Sequence, residues 1–281
     1  MQRQLQHMAR LGIALFAFFC STAWAQTPAL EVSPAQPEAY QSFTITTWGS
    51  CSPMGGAAVV DVYMTTGTVT LEYLGSATDF LCASHAKTAT VMGLPEGTYT
   101  VKLRERNEDR VELSQVLGTF TVKPVPPAQP VYAFYHLGIQ HYFITASAAQ
   151  RDFLLQNNLG WIIVDDGFKA WPADGPAPVA AKPVCRLYSP VANTHFFSAD
   201  AAVCDSLKQQ TGTWIDEGIA FRALVPTAGT CPSGTLPVWR LYNNRFAQLD
   251  SNHRYVTSQD TYRHMIANGW IGEGARFCSL E

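Results

Sequence analysis

Trp214-Ile215-Asp216-Glu217-Gly218-Ile219-Ala220-Phe221 returns downstream as Trp270-Ile271-Gly272-Glu273-Gly274-Ala275-Arg276-Phe277, and this echo decides the fold. An earlier copy, Trp161 to Phe168, keeps both aromatic ends but has Val164-Asp165 in place of Glu-Gly. Working outward, each segment is preceded by the same series. Val131-Tyr132-Ala133-Phe134-Tyr135 matches Val184-Cys185-Arg186-Leu187-Tyr188 and Val238-Trp239-Arg240-Leu241-Tyr242. A second strand then opens on histidine in every copy: His141-Tyr142-Phe143-Ile144-Thr145, His195-Phe196-Phe197-Ser198 and His253-Arg254-Tyr255-Val256-Thr257. Helices are predicted over Ser147 to Asn157, Asp200 to Gln209 and Ser258 to Ala267, each opening on a residue able to cap free N–H groups. Phe153, Leu154, Leu207, Tyr262 and Ile266 are their expected buried stripe, and the repeated tryptophans are expected in the core. A strand, strand, helix, strand unit cannot bury its aromatic face alone, so three copies must pack around one centre.

The repeats are expected over 131–180, 181–230 and 231–281, forming a pseudo-threefold β-rich module with short helices. Ahead of them, Lys123-Pro124-Val125-Pro126-Pro127-Ala128-Gln129-Pro130 reads as an extended linker (124–130), because prolines lack the N–H a central strand needs. Residues 26–123 alternate apolar and polar side chains in six short runs, from Tyr40–Trp48 to Val116–Val122, the pattern of half-buried antiparallel strands in a sandwich. Val32-Ser33-Pro34 and Gly97-Thr98-Tyr99-Thr100-Val101 resemble bacterial immunoglobulin-like domains, and the resemblance implies a spacer or stalk.

Residues 1–25 carry Arg3 and Arg10, the apolar run Leu11 to Cys20 and an Ala23-Trp24-Ala25 end, the organisation of a secretory signal peptide. Removing them takes away two arginines and no acid, shifting the formal charge from −3 to −5. No basic field remains for phosphate neutralisation, which excludes nucleic acid as the main partner. No later run is long and apolar enough to span a bilayer, so an exported protein of the periplasm or exterior is expected, with no transmembrane segment. The six cysteines beyond the signal are then expected to pair as Cys51–Cys82, Cys185–Cys204 and Cys231–Cys278.

The repeat series resembles the bacterial and fungal family called domain of unknown function 5648, whose copies read Val-x-Arg-Leu-Tyr, His-Phe-Tyr-Thr and Gly-Trp-x-x-Glu-Gly-x-x-Phe. The resemblance implies a part of a secreted or cell-surface protein and carries no settled activity.

His141, His195 and His253 occupy equivalent positions, but a ring of repeats holds equivalent residues apart unless they line its axis; no metal is expected. Tyr135, Tyr188 and Tyr242, with Asn193, Asn243, Asn244 and Asn252 in the turns, are the candidate ligand-binding residues beside those histidines. A ring can stack on a pyranose while an amide both donates and accepts. The competing reading of the asparagines is turn chemistry. Arg186 and Arg240 are expected to pair with Glu217 and Glu273. No nucleophile elbow, zinc helix or phosphate loop occurs, and Asp165-Asp166 and Asp216-Glu217 put neighbouring acids on opposite strand faces. The expectation is therefore an exported binding or adhesion module without cofactor, recognising glycan or cell-envelope surface. The alternatives are a polysaccharide-active enzyme and a structural factor that contacts another protein.

Overall fold

The computed structural model describes residues 29–48, 59–74, 86–106 and 112–281, so the expected signal peptide and the expected Cys51–Cys82 bridge lie outside the described residues. The protein is mainly β. The first unit contains β1 (Ala29–Ser33), β2 (Phe43–Trp48), β3 (Val59–Tyr63), β4 (Thr68–Leu74), β5 (Lys87–Val91), β6 (Gly97–Arg106) and β7 (Glu112–Val122). They form two sheets, β1-β2-β5 and β3-β4-β6-β7. Phe43, Ile45 and Val91 of one sheet share a core with Val69, Leu71, Val101 and Phe120 of the other. Phe43 meets Phe120 edge-on with ring centres 5.2 Å apart. One pairing departs from the all-antiparallel expectation: β4 runs parallel to β6, from Thr68↔Thr100 to Leu74↔Arg106. Alternation reports which face is buried and is blind to strand direction.

Residues 124–128 carry no strand, and the linker is pinned rather than free. Trp171, fully buried, donates its indole N–H to the Pro126 carbonyl at 2.8 Å and packs with Val125 and Tyr40. The Val179 N–H donates to the Glu38 carboxylate at 2.9 Å, a second tie between the two units.

The repeats follow with one plan. Repeat 1 has β8 (Gln129–His136), β9 (Tyr142–Thr145), α1 (Ala148–Gln156) and β10 (Trp161–Ala170). Repeat 2 has β11 (Lys182–Ser189), β12 (Thr194–Ser198), α2 (Ala201–Lys208) and β13 (Ile215–Ala223). Repeat 3 has β14 (Thr235–Tyr242), β15 (His253–Val256), α3 (Gln259–Ala267) and β16 (Ile271–Leu280). In each three-stranded sheet the first strand is central, flanked by the second and third. Ser147, Asp200 and Ser258 cap their helices through the side-chain oxygen, as the sequence predicts. The bridges Cys185–Cys204 and Cys231–Cys278 form, the second clasping the chain's last strand to the segment leading into β14.

The centre belongs to phenylalanine. Phe168, Phe221 and Phe277 touch one another in a closed triangle, with ring centres 5.7, 6.1 and 5.6 Å apart. Val131, Val184 and Val238 pair directly with them across the sheets and are buried with them. Phe143, Phe197 and Tyr255 extend the same core. Trp161, Trp214 and Trp270 sit shallower than the core expectation had them, all three half-buried: Trp161 packs on the edge of this core against Phe143, and Trp214 packs on a smaller cluster of Cys185, Leu187, Phe196 and Cys204. Of the predicted helix stripe Leu154 is buried, whereas Phe153 and Ile266 are 56% and 42% exposed. A helix lying on a sheet edge buries a narrower stripe than one sunk between layers.

Candidate functional site

The second strands begin within a residue of the repeated histidine, and the residues around those starts bond to one another across the repeats. Asn252 is fully buried there, with Thr194 and His141 nearly so. The Asn252 Oδ1 accepts from the Tyr142 N–H at 2.7 Å, and its Nδ2 donates to the Tyr142 carbonyl at 3.1 Å and to the Thr194 hydroxyl at 3.0 Å. One amide thus ties all three repeats together. His141 makes the same three-way tie: Nε2 lies 2.7 Å from Asp250 of repeat 3, and Nδ1 lies 3.1 Å from the Asn193 carbonyl of repeat 2.

Beside this plug, repeats 1 and 2 leave a cleft of about 250 Å³ between them, lined by His136, Ile139, His141, Tyr142, Leu159, Trp161, Asn193, Thr194, His195 and Asn252. Trp161 stands edge-on to His136 with ring centres 4.9 Å apart. His136 Nδ1 accepts from the Gly138 and Ile139 N–H groups at 3.0 and 3.2 Å, so Nε2 carries the ring proton and can donate. Gly160 brings the chain past this ring at φ +85°; a Cβ there would lie 3.0 Å from the imidazole. Asn193 sits at φ 45° in the turn before β12, and the Tyr188 hydroxyl donates to its Oδ1 at 3.0 Å, which leaves the amide N–H groups to donate. His195 packs between Phe143 and Tyr188, ring centres 4.7 and 4.9 Å away. Burial, and then the Arg186 charge, press its pKa down to about 4, so at neutral pH the ring is uncharged; its Nε2 already faces the Glu217 carboxylate at 3.2 Å. Among the described residues the lining holds no carboxylate, lysine or arginine, with Asp250 and Glu217 standing behind His141 and His195. Flat rings with neutral donors and acceptors suit an uncharged polyhydroxylated ligand.

The Glu-Gly signature is a β-bulge. Cys185 pairs with Ile219 and Leu187 with Asp216, so Glu217 and Gly218 together oppose Arg186; Glu273 and Gly274 oppose Arg240 in the same way. Gly218 and Gly274 take φ 82° and 80°, the left-handed turn that aims the glutamate at the arginine. Arg240 Nε donates to Glu273 at 2.6 Å. Arg186 Nε stands 2.9 Å from Glu217, off the line of its N–H, and pairs by charge. Each arginine also reaches the preceding repeat, Arg186 to the Gln150 side chain and Arg240 to the Phe197 carbonyl. Repeat 1 has Ala133 and Val164 at these positions. Its ring closure runs the other way: Arg254 of repeat 3 binds Asp166 at 2.6 Å and lies over the Tyr142 ring.

His141, His195, Asn193 and Asn252 thus meet in the one cleft. Tyr188 braces it, and Tyr135 touches its Tyr142 wall with ring centres 4.8 Å apart. Tyr242 and His253 stack on each other elsewhere, 5.0 Å between centres. Burial brings His253 to a pKa of about 3, with Arg240 and Arg276 adding to the shift, and its Nδ1 is buried without a partner. Asn243 holds its own turn, donating to the Asp250 carbonyl at 2.6 Å, and Asn244 is an exposed turn residue at φ 56°. Sequence reasoning missed His136 and Leu159, which occur once and carry no repeat signal. Among the described residues no cluster of three His, Cys, Asp or Glu side chains could hold a metal ion. Among the same residues no helix is long and apolar enough to cross a membrane.

Fold and cleft together define a triplicated β module whose joints, rather than its individual repeats, carry the surface features. The chain belongs to the family described as Domain of unknown function (DUF5648), whose family model matches residues 96–224 and again 130–280. No curated protein and no solved structure matches it.

Proposed function

We propose that the protein is an exported binding module that holds an uncharged glycan of the cell envelope or its surroundings in the cleft between repeats 1 and 2. Residues 1–25 act as the signal peptide in this reading, and the first sandwich serves as an immunoglobulin-like spacer that presents the repeats. The observation that carries the reading is a cleft in which Trp161 and Tyr142 stand beside the Asn193 amide and three histidines, with no carboxylate, lysine or arginine among the described lining residues. Against the enzyme alternative stands the bonding of His141. His141 lies 2.7 Å from Asp250, the spacing of a catalytic dyad, yet its other nitrogen is spent on the Asn193 carbonyl.

A panel of neutral and acidic oligosaccharides, titrated against the exported chain, tests the reading. Neutral sugars are expected to bind and uronates to bind at least tenfold more weakly. Trp161→Ala should lower affinity roughly tenfold to a hundredfold, the loss of about 1.4 to 3 kcal/mol of stacking. Equal binding of both classes, or an unchanged Trp161→Ala variant, contradicts it.

One observation favours a second reading, a protein-contacting factor. Ile162, Ile215 and Ile271 follow the three tryptophans and are 42%, 51% and 45% exposed, an apolar side chain repeated on the outside. Replacing all three with serine separates the readings, because it leaves sugar binding intact and removes a protein contact.

A further inference from the structure

The tyrosine of each repeated Val-x-x-x-Tyr segment is followed by a different polar residue in every copy: His136, Ser189 and Asn243. Ser189 is buried and accepts from the Ala192 N–H, and Asn243 is engaged within its own turn. Of the three, His136 lines the cleft between repeats 1 and 2. Its Nδ1 is taken by the Gly138 and Ile139 N–H groups, so the ring proton sits on Nε2, which bonds no described residue. The Asn193 amide is a second unspent donor: its Oδ1 accepts from the Tyr188 hydroxyl, while its Nδ2 has no acceptor among the described residues.

His195 supplies a lone pair to match. Its ring is uncharged at neutral pH and its Nε2 faces Glu217, which places the proton there and leaves Nδ1 as an acceptor without a described partner. The Tyr142 hydroxyl remains to serve a sugar hydroxyl in either sense. The other polar side chains of the lining are used up: Asn252 holds Tyr142 and Thr194, and His141 holds Asp250 and the Asn193 carbonyl. Ile139 and Leu159 stand at the same cleft 38% and 46% exposed, apolar surface for a ligand to cover.

The charges around the cleft are already paired. Asp250 is shared by His141 and Arg245 at 2.7 and 2.9 Å, Glu217 stands 2.9 Å from Arg186, and Arg254, over the Tyr142 ring, binds Asp166 at 2.6 Å. At about 250 Å³ the cleft is smaller than the roughly 300 to 1,000 Å³ of pockets for drug-sized ligands, room for one sugar ring with a small substituent.

Two donors, one lone pair and an apolar margin are the complement of a secondary amide that ends in a methyl group. We infer that the cleft selects an uncharged N-acetylated amino sugar, an inference that rests on the glycan reading above. The acetamido carbonyl accepts from His136 and Asn193, its N–H donates to His195 Nδ1, its methyl group lies against Ile139 and Leu159, and the pyranose face meets Trp161. A hydroxyl in place of the acetamido group covers none of the apolar margin.

Calorimetric titration of the exported chain with the chitin trimer and with cellotriose, which share a backbone and differ in the acetamido groups, tests the inference. The chitin trimer is expected to bind about tenfold to a hundredfold more tightly. Asn193→Asp keeps an acceptor for the Tyr188 hydroxyl and tolerates φ 45°, so it should erase most of that preference while the unfolding midpoint stays in place. Leu159→Ser, at an exposed position, should weaken the chitin trimer severalfold and leave cellotriose alone. The disaccharide of peptidoglycan carries the same group beside a lactyl carboxylate and distinguishes a bacterial wall from chitin as the source; it should bind more weakly than the chitin trimer. Equal binding of the two trimers, or a preference that survives both substitutions, overturns the inference and leaves the glycan reading standing. Tighter binding of the peptidoglycan disaccharide overturns the uncharged ligand, and no binding of any of the three brings down the inference and the glycan reading together.

Discussion

At the scale of single residues, the polar end of the axis rests on side chains whose hydrogen-bonding capacity is used up. Asn252→Ala would strip partners from the Tyr142 N–H and carbonyl and from the Thr194 hydroxyl, all inside the protein. Leaving such groups buried and unpaired is expected to destabilise the fold by about 3 kcal/mol in urea unfolding. Asn244→Ala, on the exposed turn, should cost less than about 1 kcal/mol. The histidines set the response to acid. Burial holds His195 at about 4 and His253 at about 3, against 6.5 for a free imidazole. Below pH 6.5 the unfolded chain therefore takes up protons that the folded chain refuses. Stability is complete above that pH and falls as the pH drops toward the folded values, by about 1.4 kcal/mol per unit for each histidine. Unfolding titrations at pH 7 and pH 4.5 check this, and His195→Gln should reduce the difference by about half, His253 supplying the rest. An acid response that His195→Gln leaves untouched would remove His195 from the account.

Among elements, the repeats were readable in the sequence because strand patterning, capping residues and the closing aromatics each recur and agree. Ser147, Asp200 and Ser258 cap where expected, and the two described bridges close inside repeats 2 and 3. The tryptophans were misplaced for a physical reason. Both Trp and Phe recur at the ends of the third strand, and only the pairing partner shows which faces inward. Phe168, Phe221 and Phe277 lie opposite buried valines. Trp161 starts its strand opposite His136, and Trp214 and Trp270 lie one residue ahead of theirs. The cleft could not be read in advance, because His136, Leu159 and Trp161 meet Asn193 only across a joint between repeats. The bridges supply a quantitative test at this scale. Sequence separations of 19 and 47 give about 3 and about 4 kcal/mol of chain-entropy stabilisation. Replacing Cys231 and Cys278 by alanine should thus lower stability more than replacing Cys185 and Cys204, and the reverse order would count against the loop-length explanation.

For the whole molecule, the claim on which the others rest is that three sheets share one interior and open as a unit. Each glutamate-bearing bulge aims an arginine toward the repeat before it, Arg254 closes the ring from repeat 3 to repeat 1, and the phenylalanine triangle joins the three copies in the largest buried cluster, beside which repeat 2 keeps only a small one around its disulfide. The cleft beside His195 is a joint between copies and exists only while they are docked. Native-state amide hydrogen exchange across the central strands β8, β11 and β14 measures this most directly. Their slowest amides should exchange with a single common opening free energy and the same dependence on denaturant; one repeat losing protection well before the other two would contradict the shared interior.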